Sequence, residues 1–293
     1  MSRIITTDLT QHLDGGVTTL CRLLKITLAD GVTVTGATTL DQPVTYDGVV
    51  YSAIRGMDSS AIASDSSFNV ENSEATVILS TDPLQGITRE MVLRGELEGA
   101  TWELLLVNYK DLAAGHIILD AGDVGEVRIV KNQVYIPELV SFAYRLKQSI
   151  GGVDSRKCRA IFGNQKQGQL YCGVDAEALF VTGTVSAVSS GEPKRAFAGD
   201  QIVAPPGRVQ WLSGDNASGK LYQIDGYDVG LSGMSIFEPM PFPIQVGDTY
   251  QVRPDCDKTL TTCRDVYSNM IEFRGEPLIP VGEATQTPGA SLP

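Results

Sequence analysis

VTTLCRLLKITLADGVTVTGATTLDQPVTYDGVVYSA, residues 17–53, is the stretch that decides the fold. It reads as strand-forming segments, VTTLCRLLKITL, then VTVTGATTL, then PVTYDGVVYSA. In the last of these, Asp47-Gly48 separates Tyr46 from Val49. Both central positions of a two-residue hairpin turn need positive φ, which Asp and Gly tolerate, so the dipeptide predicts a β-hairpin. Working outward, ATVILST (75–81) and TWELLLVNY (101–109) are further strands. Between them GITREMVLRG (86–95) predicts a short helix, with Thr88 as N-cap, Glu90 in the first turn and Gly95 as terminator. GHIILDAGDVGEVRIVKNQVYIPELVSFAYRL completes a domain over residues 1–150 dominated by antiparallel strands, with a boundary at Ile150-Gly151-Gly152.

The remaining residues, 151–293, read as a second domain. Residues 153–175 look irregular. FVTGTVSAV, GRVQWLSG, KLYQIDGYDVG, MSIFEPM and DTYQVRP then supply about five short strands at regular spacing, a pattern that suits a small barrel over residues 178–254. The segment 255–281 is polar with few regular elements, and the tail from Gly282 to Pro293 is expected to be mobile. The fold class is therefore mainly β: two antiparallel β domains, the second containing a small barrel, plus an irregular cysteine-bearing C-terminal segment.

Composition agrees. The chain of 293 residues is long enough for two domains or one with a large insertion. An apolar content of 42% with 20% charged residues belongs to an ordinary soluble globular protein, and 30 glycines with 14 prolines favour turns and strands over long helices. A formal net charge of -12 argues against a grip on nucleic acid, which needs a basic surface. It suits a surface that DNA slides past. MSRIITTDLTQHLDGG holds no apolar signal core and no stretch reaches the length of a membrane span, so the chain is expected to fold in the cytosol and not to insert into a membrane.

Four of the five cysteines form two groups, Cys158 with Cys172 and Cys256 with Cys263. Arg156, Lys157 and Arg159 crowd the first group, and Arg253, Lys258 and Arg264 the second. Positive charge favours the thiolate, the form that ligates metals, so folding could join the two groups into one four-thiolate site. Two readings compete. Disulfides are one, although they seldom persist in the cytosol; inert buried thiols are the other. The C-x₁₃-C and C-x₆-C spacings differ from the tight C-x₂₋₄-C knuckle of structural zinc sites, while iron–sulfur clusters also take four thiolates at more varied spacing. Cys21, in TTLCRLLKITLADG, reads as a packed core thiol.

Little points to catalysis. The two histidines, His12 and His116, lie in no motif and read as surface or loop residues rather than general bases. There is no G-x-S-x-G, no H-E-x-x-H and no phosphate loop. Asp120 and Asp123 in ILDAGDVGE could bind a cation, a role with which turn chemistry competes.

The segment CDKTLTTCRDVYSNMIEFRGEPLIP, residues 256–280, resembles the C-terminal signature of tail-tip hub proteins of tailed bacteriophages. The matching residues are Cys256, Asp257, Lys258, Thr262, Cys263, Tyr267, Asn269, Phe273, Arg274, Gly275, Pro277 and Pro280. The family includes the hub of gene transfer agents and, more remotely, the tail-tip protein L of phage lambda. Weaker matches continue upstream in the expected order through TLCRLLKITLADGV, TYDGVVYSA, SFNVENSEATVIL, WELLLVNY, the Lys157-Cys158-Arg159 segment and YCGVD around Cys172, so the resemblance covers nearly the whole chain. It implies a structural role at the distal end of a long non-contractile tail. It further implies a homotrimer that contacts the distal tail protein, the central tip or fibre protein and the tape measure protein, with DNA passing through its lumen. The implied location is the virion tail tip, after assembly in the host cytoplasm. The resemblance also implies a [4Fe-4S] cluster on Cys158, Cys172, Cys256 and Cys263, zinc being the lesser alternative. Val281 stands where relatives often have glycine, and the loop between Cys158 and Cys172 is unusually Gln-rich; neither change removes an implied ligand. A host metal- or cluster-binding redox protein with β domains is the competing class.

Overall fold

The structure, a computed structural model, describes residues 5–53, 72–74, 77–80, 86–131, 134–147, 151–152, 154–168 and 170–279. Part of the expected strand 75–81, part of the SFNVENSEATVIL match, and the tail from Gly282 lie outside the described residues. The chain divides into two compact units, Met1–Ser149 and Ile150–Pro293.

The first unit is built on one sheet. Its strands are β1 (Leu20–Thr27), β2 (Val34–Thr38), β3 (Val44–Tyr46), β4 (Val49–Ala53), β5 (Asn72–Glu74), β6 (Val77–Ile78), β7 (Thr101–Asn108), β8 (His116–Val130) and β9 (Val134–Ser141). They lie in the order β3-β4-β2-β1-β7-β8-β9-β5, with β6 also paired to β9. Tyr46 faces Val49 across the expected two-residue turn, with φ of 49° at Asp47 and 75° at Gly48. One pairing departs from the antiparallel expectation: β4 runs parallel to β2. Side chains alternate with period two in either kind of pairing, so the residues of the strand did not disclose its direction.

β1 carries adjacent buried residues because both its faces are covered. Cys21 and Leu23 pair across to Val107 and Leu105 and pack with Tyr51 on one face. Leu24 and Ile26 pair with Leu104 and Trp102 on the other, against Ile87 and Met91. Met91 belongs to the short helix Arg89–Leu93, whose cap is as expected: Thr88 Oγ1 accepts from the Met91 N–H. Cys21 is thus a packed thiol, its pKa raised by burial. A helix not anticipated from the sequence, Thr7–Asp14, precedes the sheet.

The second unit contains a closed barrel of β10 (Val181–Val188), β11 (Ala196–Gly199), β12 (Gly207–Trp211), β13 (Tyr222–Asp228), β14 (Gly233–Ile236) and β15 (Thr249–Pro254), joined in the ring β10-β11-β14-β13-β12-β15. β11 is the strand missing from the sequence reading. Its AFAG run is short and shows no alternation, yet it joins β10 to β14 and closes the ring. Alternate residues fill the interior, where the rings of Phe197, Trp211 and Tyr250 stand 5.1–5.9 Å apart between centroids. Their polar atoms are satisfied: Trp211 Nε1 donates to Met240 Sδ and Tyr250 Oη donates to the Gln201 carbonyl at 2.7 Å. On β15, Tyr250 and Val252 point inward. Arg253 should then face out, yet it is 5% exposed, because Phe162 and Phe180 lie over its guanidinium, each 5.2 Å away.

Candidate metal centre

Cys158 and Cys172 lie in the irregular run that precedes the barrel, and Cys256 follows β15 by two residues. Cys263 sits on a short helix, Leu260–Asp265, within a segment whose sequence predicts irregular structure. Thr259 caps this helix by accepting from the Thr262 N–H. The four thiols line one pocket. Apolar walls come from Ala160, Phe162, Val174 and the Tyr267 ring, which packs on Phe162 at 4.9 Å.

Backbone pairing brings the two cysteine groups together. The Cys158 N–H donates to the Lys258 carbonyl at 2.8 Å, and Asn269 Nδ2 donates to the Cys172 carbonyl at 2.6 Å. Asn269 also donates its backbone N–H to the Cys263 carbonyl at 2.9 Å. Farther along, the Glu276 N–H donates to the Ser155 carbonyl at 2.8 Å, and the Glu276 carboxylate accepts from both terminal nitrogens of Arg159. Gly275 permits this approach, since a β-carbon there would stand 2.8 Å from the Lys157 carbonyl oxygen. Two sulfurs accept backbone N–H groups at 3.3 Å: Cys256 from Lys258, and Cys158 from Arg274.

The electrostatics differ from the expectation that cations would favour the thiolates. Burial pushes the Cys263 thiol up to about 11, and its three cysteine neighbours add to the rise. Cys256 is also raised, by burial first, against the lowering effect of the Lys258 N–H and ammonium. Most of the arginines are engaged elsewhere. Arg159 pairs with Glu276 and Asp154, Arg264 with Asp265, Arg156 donates to the Ile279 carbonyl, and Arg253 lies against the two phenylalanine rings. Cys256 and Cys263 resist ionising because each thiolate would be desolvated and would stand beside other thiols of the pocket. Metal cations reverse that balance, since a coordinated thiol gives up its proton.

Four thiols are the donor set of a structural zinc or of an iron–sulfur cluster alike. A structural zinc would need its sulfurs drawn to about 2.3 Å from one point. Among the described residues no three Cys, His, Asp or Glu side chains converge tightly enough to hold one metal ion. The described residues pair the five cysteines in no disulfide. Asp120 and Asp123, weighed as cation ligands or turn residues, are not in a turn. Both lie within β8, where Asp120 accepts from Ser141 Oγ and Asp123 from Arg145. The histidines are half-buried rather than surface groups: His12 Nε2 accepts the Thr19 N–H at 2.9 Å, and His116 Nδ1 is 2.8 Å from Tyr46 Oη.

Comparison with known proteins bears on what such a pocket belongs to. Residues 6–175, more than half of the chain, match the family described as baseplate hub protein, N-terminal attachment domain. The chain belongs to this baseplate hub family. Residues 205–283 of the hub protein match a second family, described as phage conserved hypothetical protein BR0599. The first match contains Cys158 and Cys172, the second Cys256 and Cys263. Among solved structures, the hub protein resembles a chain of the virion of a native gene transfer agent particle. The two share 26% identity and a TM-score of 0.80, over 98% of this chain and 97% of that one. No curated protein matches the hub protein. Membership places it among phage tail structural proteins, one of the two classes the sequence left open.

Sequence reading singled out the four cysteines but not the clamp that unites them. Arg159 and Glu276 are separated by more than a hundred residues, and nothing local marks an ion pair across that distance. Asn269 and Lys258 stood in the signature without a role.

Proposed function

We propose that this chain forms the trimeric hub at the tip of a long non-contractile tail. There it joins the distal tail protein and the tape measure protein above to the central tip or fibre protein below. In this reading a [4Fe-4S] cluster is held by Cys158, Cys172, Cys256 and Cys263, and its role is structural. The carrying observation is that four thiols from two distant segments line one pocket in a chain of the baseplate hub family. An iron–sulfur cluster takes four thiolates, and the four cysteines of both groups share this pocket. When bound, the cluster supplies a covalent crosslink between residue 158 and the segment after β15. Closing a loop of about 100 residues restricts the unfolded chain by about 4–5 kcal/mol on the chain-entropy account. The protein's own residues prepare the site. Asn269 and Lys258 fix the backbone between the two groups, Lys258 and Arg274 offer N–H groups to sulfur, and Phe162 and Tyr267 keep water back.

Anaerobic purification with iron and sulfide analysis tests the ligation. We expect about four iron and four sulfide per chain, with broad visible absorption that bleaches on reduction. Serine at any of the four positions removes most of that absorption, whereas Cys21→Ser leaves it intact and costs at most about 2–3 kcal/mol of packing. Zinc without sulfide would overturn the cluster. Bleaching by Cys21→Ser, with one of the four silent, would overturn the ligand set. Negative-stain images of tails assembled from ligand variants test the hub role, since defective tips are expected.

A further inference from the structure

The residues lining the thiol pocket include one cation, Lys258, and one carboxylate, Glu272. Glu272 is paired with Arg274 at 2.7 Å, so its charge is already answered. Lys258 is held differently. Its backbone has φ of 67°, in the left-handed region that a lysine seldom adopts, and this turn directs its N–H to Cys256 Sγ while its carbonyl accepts from the Cys158 N–H. The side chain then runs back along the pocket, and Nζ donates to the Ala160 carbonyl at 2.7 Å. The ammonium is thus anchored beside the thiols by a neutral acceptor, and the hydrogen bonds shown for it involve no carboxylate.

We infer that Lys258 is a positioning residue that also supplies the fixed countercharge of the centre, raising its reduction potential and slowing its loss. This rests on the cluster reading above. Four thiolates leave the complex net negative, and reduction adds a further electron in a half-buried pocket. An anchored cation stabilises the reduced, more negative state more than the oxidised one. Net charge and hydrogen bonds to sulfur are the levers by which a protein sets such a potential. The turn at Lys258 works through backbone atoms, which any side chain supplies; the countercharge does not. Substitution therefore separates the two roles.

The test uses the full chain, purified anaerobically as wild type, Lys258→Gln and Lys258→Arg, with Lys110→Met as a control in the first unit. Each is assayed for iron and sulfide, for midpoint potential by dye-mediated titration, and for the rate of iron loss to a chelator. Gln is polar and close to Lys in size but carries no charge, and Arg keeps the charge on a side chain long enough to reach the Ala160 carbonyl. We expect Lys258→Gln to carry wild-type iron at a lower potential and to lose it several-fold faster, Lys258→Arg to restore both values, and Lys110→Met to change neither. Loading by Lys258→Arg but not by Lys258→Gln also supports the countercharge. An unchanged potential in Lys258→Gln overturns it while leaving the cluster in place, as does failure of both variants to load. Absence of iron and sulfide from the wild type overturns the cluster reading, and this inference with it.

Discussion

Gly275→Ala probes the tie between the two ends of the C-terminal unit without touching a thiol. A β-carbon at this position would stand 2.8 Å from the Lys157 carbonyl oxygen, 2.9 Å from its carbon and 2.8 Å from Cε1 of Phe273. The Phe273 ring can turn aside, but the Lys157 backbone can move only with its segment. To reach ordinary van der Waals contact the two segments must part by about half an ångström. That movement stretches the bonds on either side: Arg159 N–H to the Arg274 carbonyl at 3.2 Å, Glu276 N–H to the Ser155 carbonyl at 2.8 Å, and Arg274 N–H to Cys158 Sγ at 3.3 Å. Overpacking of this kind costs about 1–3 kcal/mol and a weakened backbone hydrogen bond about 1 kcal/mol more. Closure of the segment should weaken by about 2–4 kcal/mol, a factor of roughly 30 to 700. Amide hydrogen exchange reads this directly, since local opening sets the rate. The Arg159 and Glu276 amides should exchange faster by that factor, while Val209 and Val252 in the barrel keep wild-type rates. Exchange at Glu276 within about threefold of wild type would refute the close-approach argument.

Three further outcomes follow from the same contacts. Tyr250→Phe leaves the half-buried Gln201 carbonyl without its donor and should destabilise the barrel by about 1 kcal/mol, read from Trp211 fluorescence in a Trp102→Phe background; an unchanged denaturation midpoint would count against it. The Glu276 carboxyl is held below its ordinary value of 4.5 by the Ser155 N–H first and by Arg159. Its contribution is therefore complete above 4.5 and is lost as pH falls through the lower folded value, so proteolysis beyond Asp255 should quicken in that acid range, and Glu276→Gln should abolish the pH dependence. In an assembled tail, the lumen of the hub should be acidic, consistent with a net charge of -12 that keeps passing DNA from adhering; a density map with a basic lining would contradict this.

What could be read from the sequence were features written in neighbouring residues. Apolar runs marked β1 and β7, and alternation the barrel strands β10, β12 and β15; Asp47-Gly48 fixed a two-residue hairpin; Thr88 and Gly95 bounded a helix. The two cysteine groups announced themselves by composition, and the C-terminal signature pointed to the family that the match over residues 6–175 then established. Tertiary structure alone decided the rest. The parallel seating of β4 on β2 and the closing role of β11 depend on which strand finds which edge, and alternation is blind to both. The fate of the cations was likewise hidden. Arg159 and Arg264 stand beside cysteines in the chain, but their charges are answered by Glu276 and Asp265, and Arg253 lies against two aromatic rings; burial is the first cause of the raised Cys256 and Cys263. The pocket itself is made by hydrogen bonds between residues about a hundred positions apart, Cys158 to Lys258 and Asn269 to Cys172. Such contacts form because the folded backbone satisfies its polar groups across segments, and no local pattern encodes the partner.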